Sequence, residues 1–164
     1  MTRGNSIMAK FYTVAFRQQA EKQFGLRQST EVAKRAATAA KRQLLQLPLQ
    51  SHHAFDHISE HFREQPGRPA HGVFSPQYRL PPELTKLMLR AIDRPGTEPM
   101  LSKSDDGDWA VVIQTWFGAG QPIGCGIVEG QRVNLEYLCL VVELNGDLIT
   151  AYPVGCYRMA GNQV

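Results

Sequence analysis

Residues 137–154 read YLCLVVELNGDLITAYPV, and this stretch decides the fold class. Apolar residues alternate with others on both sides of Asn145-Gly146, the strongest two-residue hairpin signal a sequence offers. A two-residue loop there sets Leu144 opposite Asp147, Val142 opposite Ile149 and Leu140 opposite Ala151. One face then collects Leu138, Leu140, Val142, Ile149 and Ala151, an apolar set that packs on the rest of the chain. The other face collects Tyr137, Cys139, Val141, Glu143, Thr150 and Tyr152. Two hydroxyls, those of Thr150 and Tyr152, therefore stand two residues apart on a face turned away from the core. Thr and Tyr are also good strand formers, so this pair alone does not define a site.

Outward from the hairpin, Val133 to Leu144 and Asp147 to Val154 are its two strands. Asp108 to Phe117 is predicted as a strand ending at Gly118-Ala119-Gly120. Ile123 to Val128 is a glycine-interrupted strand closed by Glu129-Gly130. Upstream the apolar period changes from two to about four. Thr30 to Leu47 is predicted helical, with Thr30 as cap, a stripe of Val32, Ala36, Ala40, Leu44 and Leu47, and Pro48 as stop. A second helix is predicted from Ser51, a good N-cap, to about Gln65, with Phe55, Ile58 and Phe62 as its apolar side. A loop follows through Pro69, Gly72 and Pro76. A third helix opens at Pro81-Pro82, carries Leu84, Leu87, Met88 and Ile92, and closes at Pro95-Gly96. Helices first and an antiparallel sheet of about four strands last give an α+β domain.

The 164 residues suffice for one domain with a short appended arm, and such a domain buries about two-thirds of its unfolded surface. With 43% hydrophobic and 20% charged residues the chain is neither disordered nor collagen-like. The longest apolar runs, such as Val111-Val112-Ile113, fall far short of a bilayer span. Met1 to Ala20 contains no continuous apolar stretch of the kind a signal peptide uses. The net charge of +3 divides unevenly: residues 1–50 hold nine Lys/Arg against two acids, and residues 51–164 hold nine against thirteen. A basic arm on a mildly acidic body can steer toward nucleic acid or anionic lipid, or simply be a solvated helix surface. Cys125, Cys139 and Cys156 are odd in number and lack C-x-x-C spacing, which argues against a zinc ribbon or a disulfide framework.

Four histidines, His52, His53, His57 and His61, fall within ten residues, and the last three are spaced i, i+4, i+8. A histidine pair at i, i+4 can share a zinc ion, although H-E-x-x-H is absent and no third ligand is evident. The stripe lies opposite Phe55, Ile58 and Phe62 and can equally be solvated. The third reading is acid–base chemistry, because imidazole titrates near neutrality. Cleaving RNA needs a base for the ribose 2′-hydroxyl, stabilisation of charge on phosphorus and an acid for the leaving 5′-oxygen. His57, an arginine such as Arg63, and the hydroxyls of Thr150 and Tyr152 supply those parts.

Three segments occur in order: His52-His53-Ala54-Phe55-Asp56-His57-Ile58, Gln121-Pro122-Ile123-Gly124 followed by Gly130, and Asn145-Gly146-Asp147-Leu148-Ile149-Thr150-Ala151-Tyr152-Pro153. Together they resemble the RNase A-like C-terminal toxin domains of bacterial contact-dependent inhibition systems, within the wider group of small bacterial ribonuclease toxins. The resemblance spans roughly residues 50–154 and divides the chain into a basic helical arm, 1–48, and a ribonuclease-like toxin domain, 49–164. It implies metal- and cofactor-independent cleavage of RNA, often tRNA, with a helix histidine, an arginine and a Thr-x-Tyr pair on the last strand. Carried over, these are His57, Arg63, Thr150 and Tyr152, with His52 and His53 as alternatives for the base and Arg68 for the arginine. Phe74 matches a family phenylalanine. The resemblance further implies a carrier protein or secretion apparatus, no stable membrane insertion, action in the cytoplasm of a target cell, and a cognate immunity protein. That inhibitor would present acidic residues to a cleft holding Arg63 and His57. The rival expectation is a non-catalytic interaction module, an adaptor or inhibitor with Trp116 and Tyr137 as anchors.

Overall fold

Small residues three and four apart let Leu26–Gln46 wind into a helix, α1, that lies close on its neighbours through Ala33, Ala36, Ala37, Ala40 and Leu44. The computed structural model describes residues 26–155 apart from 66, 68–71 and 105. The expected stripe is buried from Ala36 to Leu44, whereas Leu47, beyond the helix end, is 47% exposed. Thr30 sits inside α1 rather than capping it, because the helix already runs at Leu26.

The expected helix from Ser51 to Gln65 is broken into three pieces. A 3-10 turn spans Leu49–Ser51, α2 spans Phe55–Ser59, and a second 3-10 turn spans Glu60–Phe62. His52 between the first two is extended (φ −76, ψ 139), and Arg63 after the last is extended again (φ −153, ψ 159). Ser51 therefore does not cap α2, whose N-cap position is Ala54 with no side-chain hydrogen bond. A histidine-rich segment of this length has little helical stability of its own. Burial of Leu49, Ala54 and Ile58 in the core fixes its path instead.

The loop expected after it contains a short strand, β1 (Val73–Phe74), and a 3-10 turn, Pro76–Arg79. α3, Pro81–Asp93, follows with proline in its first turn and buries Leu84, Leu87, Met88 and Ala91. The remaining strands are β2 (Met100–Lys103), β3 (Trp109–Trp116), β4 (Gly124–Val128), β5 (Gln131–Leu135), β6 (Tyr137–Glu143) and β7 (Leu148–Val154). All pairings are antiparallel, in two sheets ordered β2-β3-β6-β7 and β1-β4-β5. The fold is α+β, with two sheets where one of about four strands was expected.

The second sheet arises because the expected strand from Val133 to Leu144 breaks at Glu136. Leu135 accepts from Ile123 N–H at 2.8 Å, whereas Glu136 accepts from Phe117 N–H at 3.0 Å, so the chain changes sheets across one peptide. The small sheet rests on β7 through glycines. A Cβ on Gly124 would lie 2.8 Å from Pro153 Cγ, and one on Gly72 only 2.4 Å from the Pro153 carbonyl. Pro153 is tolerated because β7 is the edge strand of its own sheet.

The β6–β7 hairpin has a three-residue loop, not the expected two. Gly146 N–H donates to Glu143 O at 2.9 Å and Glu143 N–H to Asp147 O at 2.8 Å, with Gly146 at φ 95. Leu148 consequently pairs with Val142, and a bulge sets Ile149 aside before Thr150 pairs with Val141. Leu148, not Ile149, fills the core face, and Ile149 packs with the opposite face. The bulge cancels the extra loop residue, so Leu140↔Ala151, Val141↔Thr150 and Cys139↔Tyr152 are the pairs the sequence predicts. α1 and α3 cover the core face through Ala36, Ala40, Leu84, Leu87 and Met88 against Val111, Ile113, Leu138, Leu140 and Val142. The described part of the basic arm thus contributes to the same core.

Candidate functional site

α2 lies along β7, the edge strand that carries Thr150 and Tyr152, and the 3-10 turn after it lies against β1. His61, buried in that turn, points at β7. Its ring stacks on that of Tyr152, with centroids 5.4 Å apart and planes inclined by 23°. His61 Nδ1–H donates to Gly72 O at 2.7 Å. A carbonyl only accepts, so this bond places a proton on Nδ1. Phe62 packs edge-on against Phe55 and the fully buried Phe74, with centroids 6.1 and 6.2 Å away, and locks the turn onto β1.

Tyr152 lies opposite Cys139 on β6, with its phenol beside the thiol. Burial pushes the Cys139 thiol up to about 11, which keeps it out of the thiolate state a nucleophile needs. The adjoining Cys139 sulfur, together with burial, holds the Tyr152 phenol well above its usual range. Tyr152 is accordingly a neutral hydrogen-bond donor at physiological pH, suited to donating to a phosphoryl oxygen and unsuited to being a base.

Thr150 is half-buried two residues along β7, and its Oγ1 is enclosed without a hydrogen-bond partner. His57 Nδ1 is enclosed as well and also lacks a hydrogen bond. It stands 3.6 Å from Glu60 Oε2, and the side chain is 15% exposed. An enclosed polar atom without a partner costs about 1–3 kcal/mol. Both atoms are held in place by packing, with hydrogen-bonding capacity unspent within the fold.

The expected residues divide accordingly. Thr150 and Tyr152 share one face of β7, and His57 is on the helix packed along it. Arg63 follows the second 3-10 turn in extended backbone, exposed and hydrogen-bonded to no described residue. Its neighbour Glu64 pairs with Arg132 on β5. Arg68 lies outside the described residues. Of the alternatives for the base, His53 is exposed, and His52 is buried with Nε2 unpartnered. The histidine stripe is not solvated as a set, since His61 is buried and His57 largely so. Sequence reasoning missed His61 as a site residue, although its position four after His57 was the available signal. Among the described residues no three His, Cys, Asp or Glu side chains cluster as metal ligands. Among them, too, no helix is long and apolar enough to cross a membrane.

Compared with protein-family models, curated proteins and solved structures, the chain matches none.

Proposed function

We propose that the protein is a metal-independent endoribonuclease toxin that cleaves RNA, with tRNA as its substrate, in competition between bacteria. The observation that carries this reading is the seating of a histidine-bearing helix on the Thr-x-Tyr edge strand, with His61 ring to ring with Tyr152. In the proposed reaction His57 takes the proton of a ribose 2′-hydroxyl, whose oxygen attacks the adjacent phosphorus. The bond from phosphorus to the 5′-oxygen breaks, the leaving oxygen takes back the proton held on the His57 imidazolium, and a 2′,3′-cyclic phosphate remains. Thr150 and Tyr152 donate to the phosphoryl oxygens as negative charge builds, and Arg63 adds the cation. His61 is a positioning residue that holds the Tyr152 ring.

The same reading makes the protein the toxic part of a delivery system, brought into a target cell's cytoplasm by a carrier or secretion apparatus and restrained in its producer by an immunity protein. The test is incubation of the purified chain with total tRNA in excess EDTA. The expected result is cleavage with 2′,3′-cyclic phosphate ends. Intact tRNA at micromolar protein, with folding confirmed by circular dichroism, would overturn the proposal in favour of a non-catalytic interaction module.

A further inference from the structure

Trp116 is exposed, at 46%, but it is not loose. Its ring stacks on Tyr137, with centroids 6.3 Å apart and planes inclined by 27°. Its indole N–H donates to Glu136 Oε1 at 3.1 Å, and Gly120 N–H fixes the same carboxylate at 2.7 Å. A tryptophan with its hydrogen bond satisfied internally and one face supported is a rigid platform with its remaining surface open.

This platform borders a cleft of about 480 Å³ between the loop after α3 and the ends of β2, β3 and β6. Arg94, Glu98, Gln114 and Met100 also line it. The Arg94 guanidinium is 5.6 Å from the Phe117 ring centroid and that of Arg90 is 5.2 Å away, so two cations share one ring beside the cleft. Asp93, the acid between them in sequence, is already paired with Lys41 at 2.9 Å. Arg90 and Arg94 form no ion pair with a described residue, although Glu98 lines the same cleft, and a planar stacking surface beside such guanidinium groups matches the two halves of a nucleotide, base and phosphate.

The position relative to β7 gives the cleft its meaning. Tyr137 and Cys139 are two residues apart on one face of β6, about 7 Å along the strand, and Cys139 is opposite Tyr152. Tyr137 is therefore two cross-strand pairs along the sheet from the Cys139–Tyr152 pair, on the same sheet face, and Trp116 stands beside it on β3, across β6 from β7.

We infer that the Trp116–Tyr137 cleft is a nucleotide-binding subsite, in which the base next to the scissile phosphate stacks on Trp116 and Arg94 holds a neighbouring phosphate. The inference rests on the ribonuclease reading for its purpose, while binding can be measured without cleavage. A labelled 2′-O-methyl oligoribonucleotide of mixed sequence lacks the nucleophile and cannot be cut. It is titrated into the full chain while anisotropy and tryptophan fluorescence are followed.

Wild type is expected to bind with quenching of Trp116. Trp116→Leu should weaken binding about tenfold, the scale of one lost base stack. Arg94→Gln, a change at an exposed side chain that serves if Trp116→Leu misfolds, should weaken binding and lower its salt dependence. No binding by wild type, or affinities unchanged in both variants, would overturn the subsite. Cleavage of tRNA without this dependence would remove the subsite and leave the ribonuclease standing. Trp116-dependent binding without tRNA cleavage would do the reverse.

Discussion

The imidazole of His61 and the phenol of Tyr152 lie ring on ring, 5.4 Å between centroids, and this contact joins the histidine segment to the edge strand. The two residues are 91 positions apart in sequence, so the contact depends on the whole fold. His61 is fixed from the other side by its bond to Gly72 O, next to β1. His61→Ala removes a buried ring and leaves that carbonyl without its donor, and should destabilise the protein by about 2 kcal/mol. His61→Phe keeps the stack and should recover part of the loss. Urea denaturation of the two variants checks this, and equal stabilities would contradict the contribution of the stack.

The Cys139 thiol fixes a pH dependence of stability. The unfolded chain loses this proton near the ordinary thiol value of 9, whereas the folded protein keeps it up to about 11. Stability is therefore complete below about pH 9 and falls as pH rises toward 11, by up to about 1.4 kcal/mol per pH unit. Tyr152, held above its own usual range, acts in the same direction at higher pH. Cys139→Ala should melt with a flatter pH profile than wild type over this window. Parallel profiles would contradict the burial of the thiol.

Gly146 couples the hairpin tip to α1. A Cβ there would come within 2.5 Å of Ala39 Cβ and 2.7 Å of Ala40 N, on a backbone with φ 95. Gly146→Ala should cost about 2–4 kcal/mol from strain and displacement of the helix. Thermal denaturation measures it. A loss under about 0.5 kcal/mol would mean that α1 does not press on the loop.

Arg63 should separate function from stability. It is exposed and bound to no described residue, so Arg63→Gln should leave stability within about 0.5 kcal/mol. If it supplies the cation, cleavage should fall by on the order of a hundredfold. Unchanged cleavage would remove Arg63 from the reaction and turn attention to Arg68.

How far these features could be read from sequence depended on whether local chemistry or distant packing set them. The face holding Thr150 and Tyr152 followed from period-two alternation, and it survived an error in the loop because the bulge at Ile149 restored the register. The segment from Ser51 to Gln65 has helical spacing but little helical strength. Its breaks at His52 and Arg63 follow from how Leu49, Ala54 and Ile58 reach the core, which spacing alone does not encode. β1 is two residues long and is defined by its pairing with β4, fifty residues away. The contact of His61 with Tyr152 was hidden for the same reason.

The most direct test compares the metal-free cleavage of tRNA by wild type, His57→Ala and Tyr152→Phe, each confirmed as folded. Cleavage by wild type, with losses on the order of a hundredfold or more in both variants, is the predicted result. Full activity in both variants would show that any cleavage comes from elsewhere on the protein and would contradict the α2–β7 site.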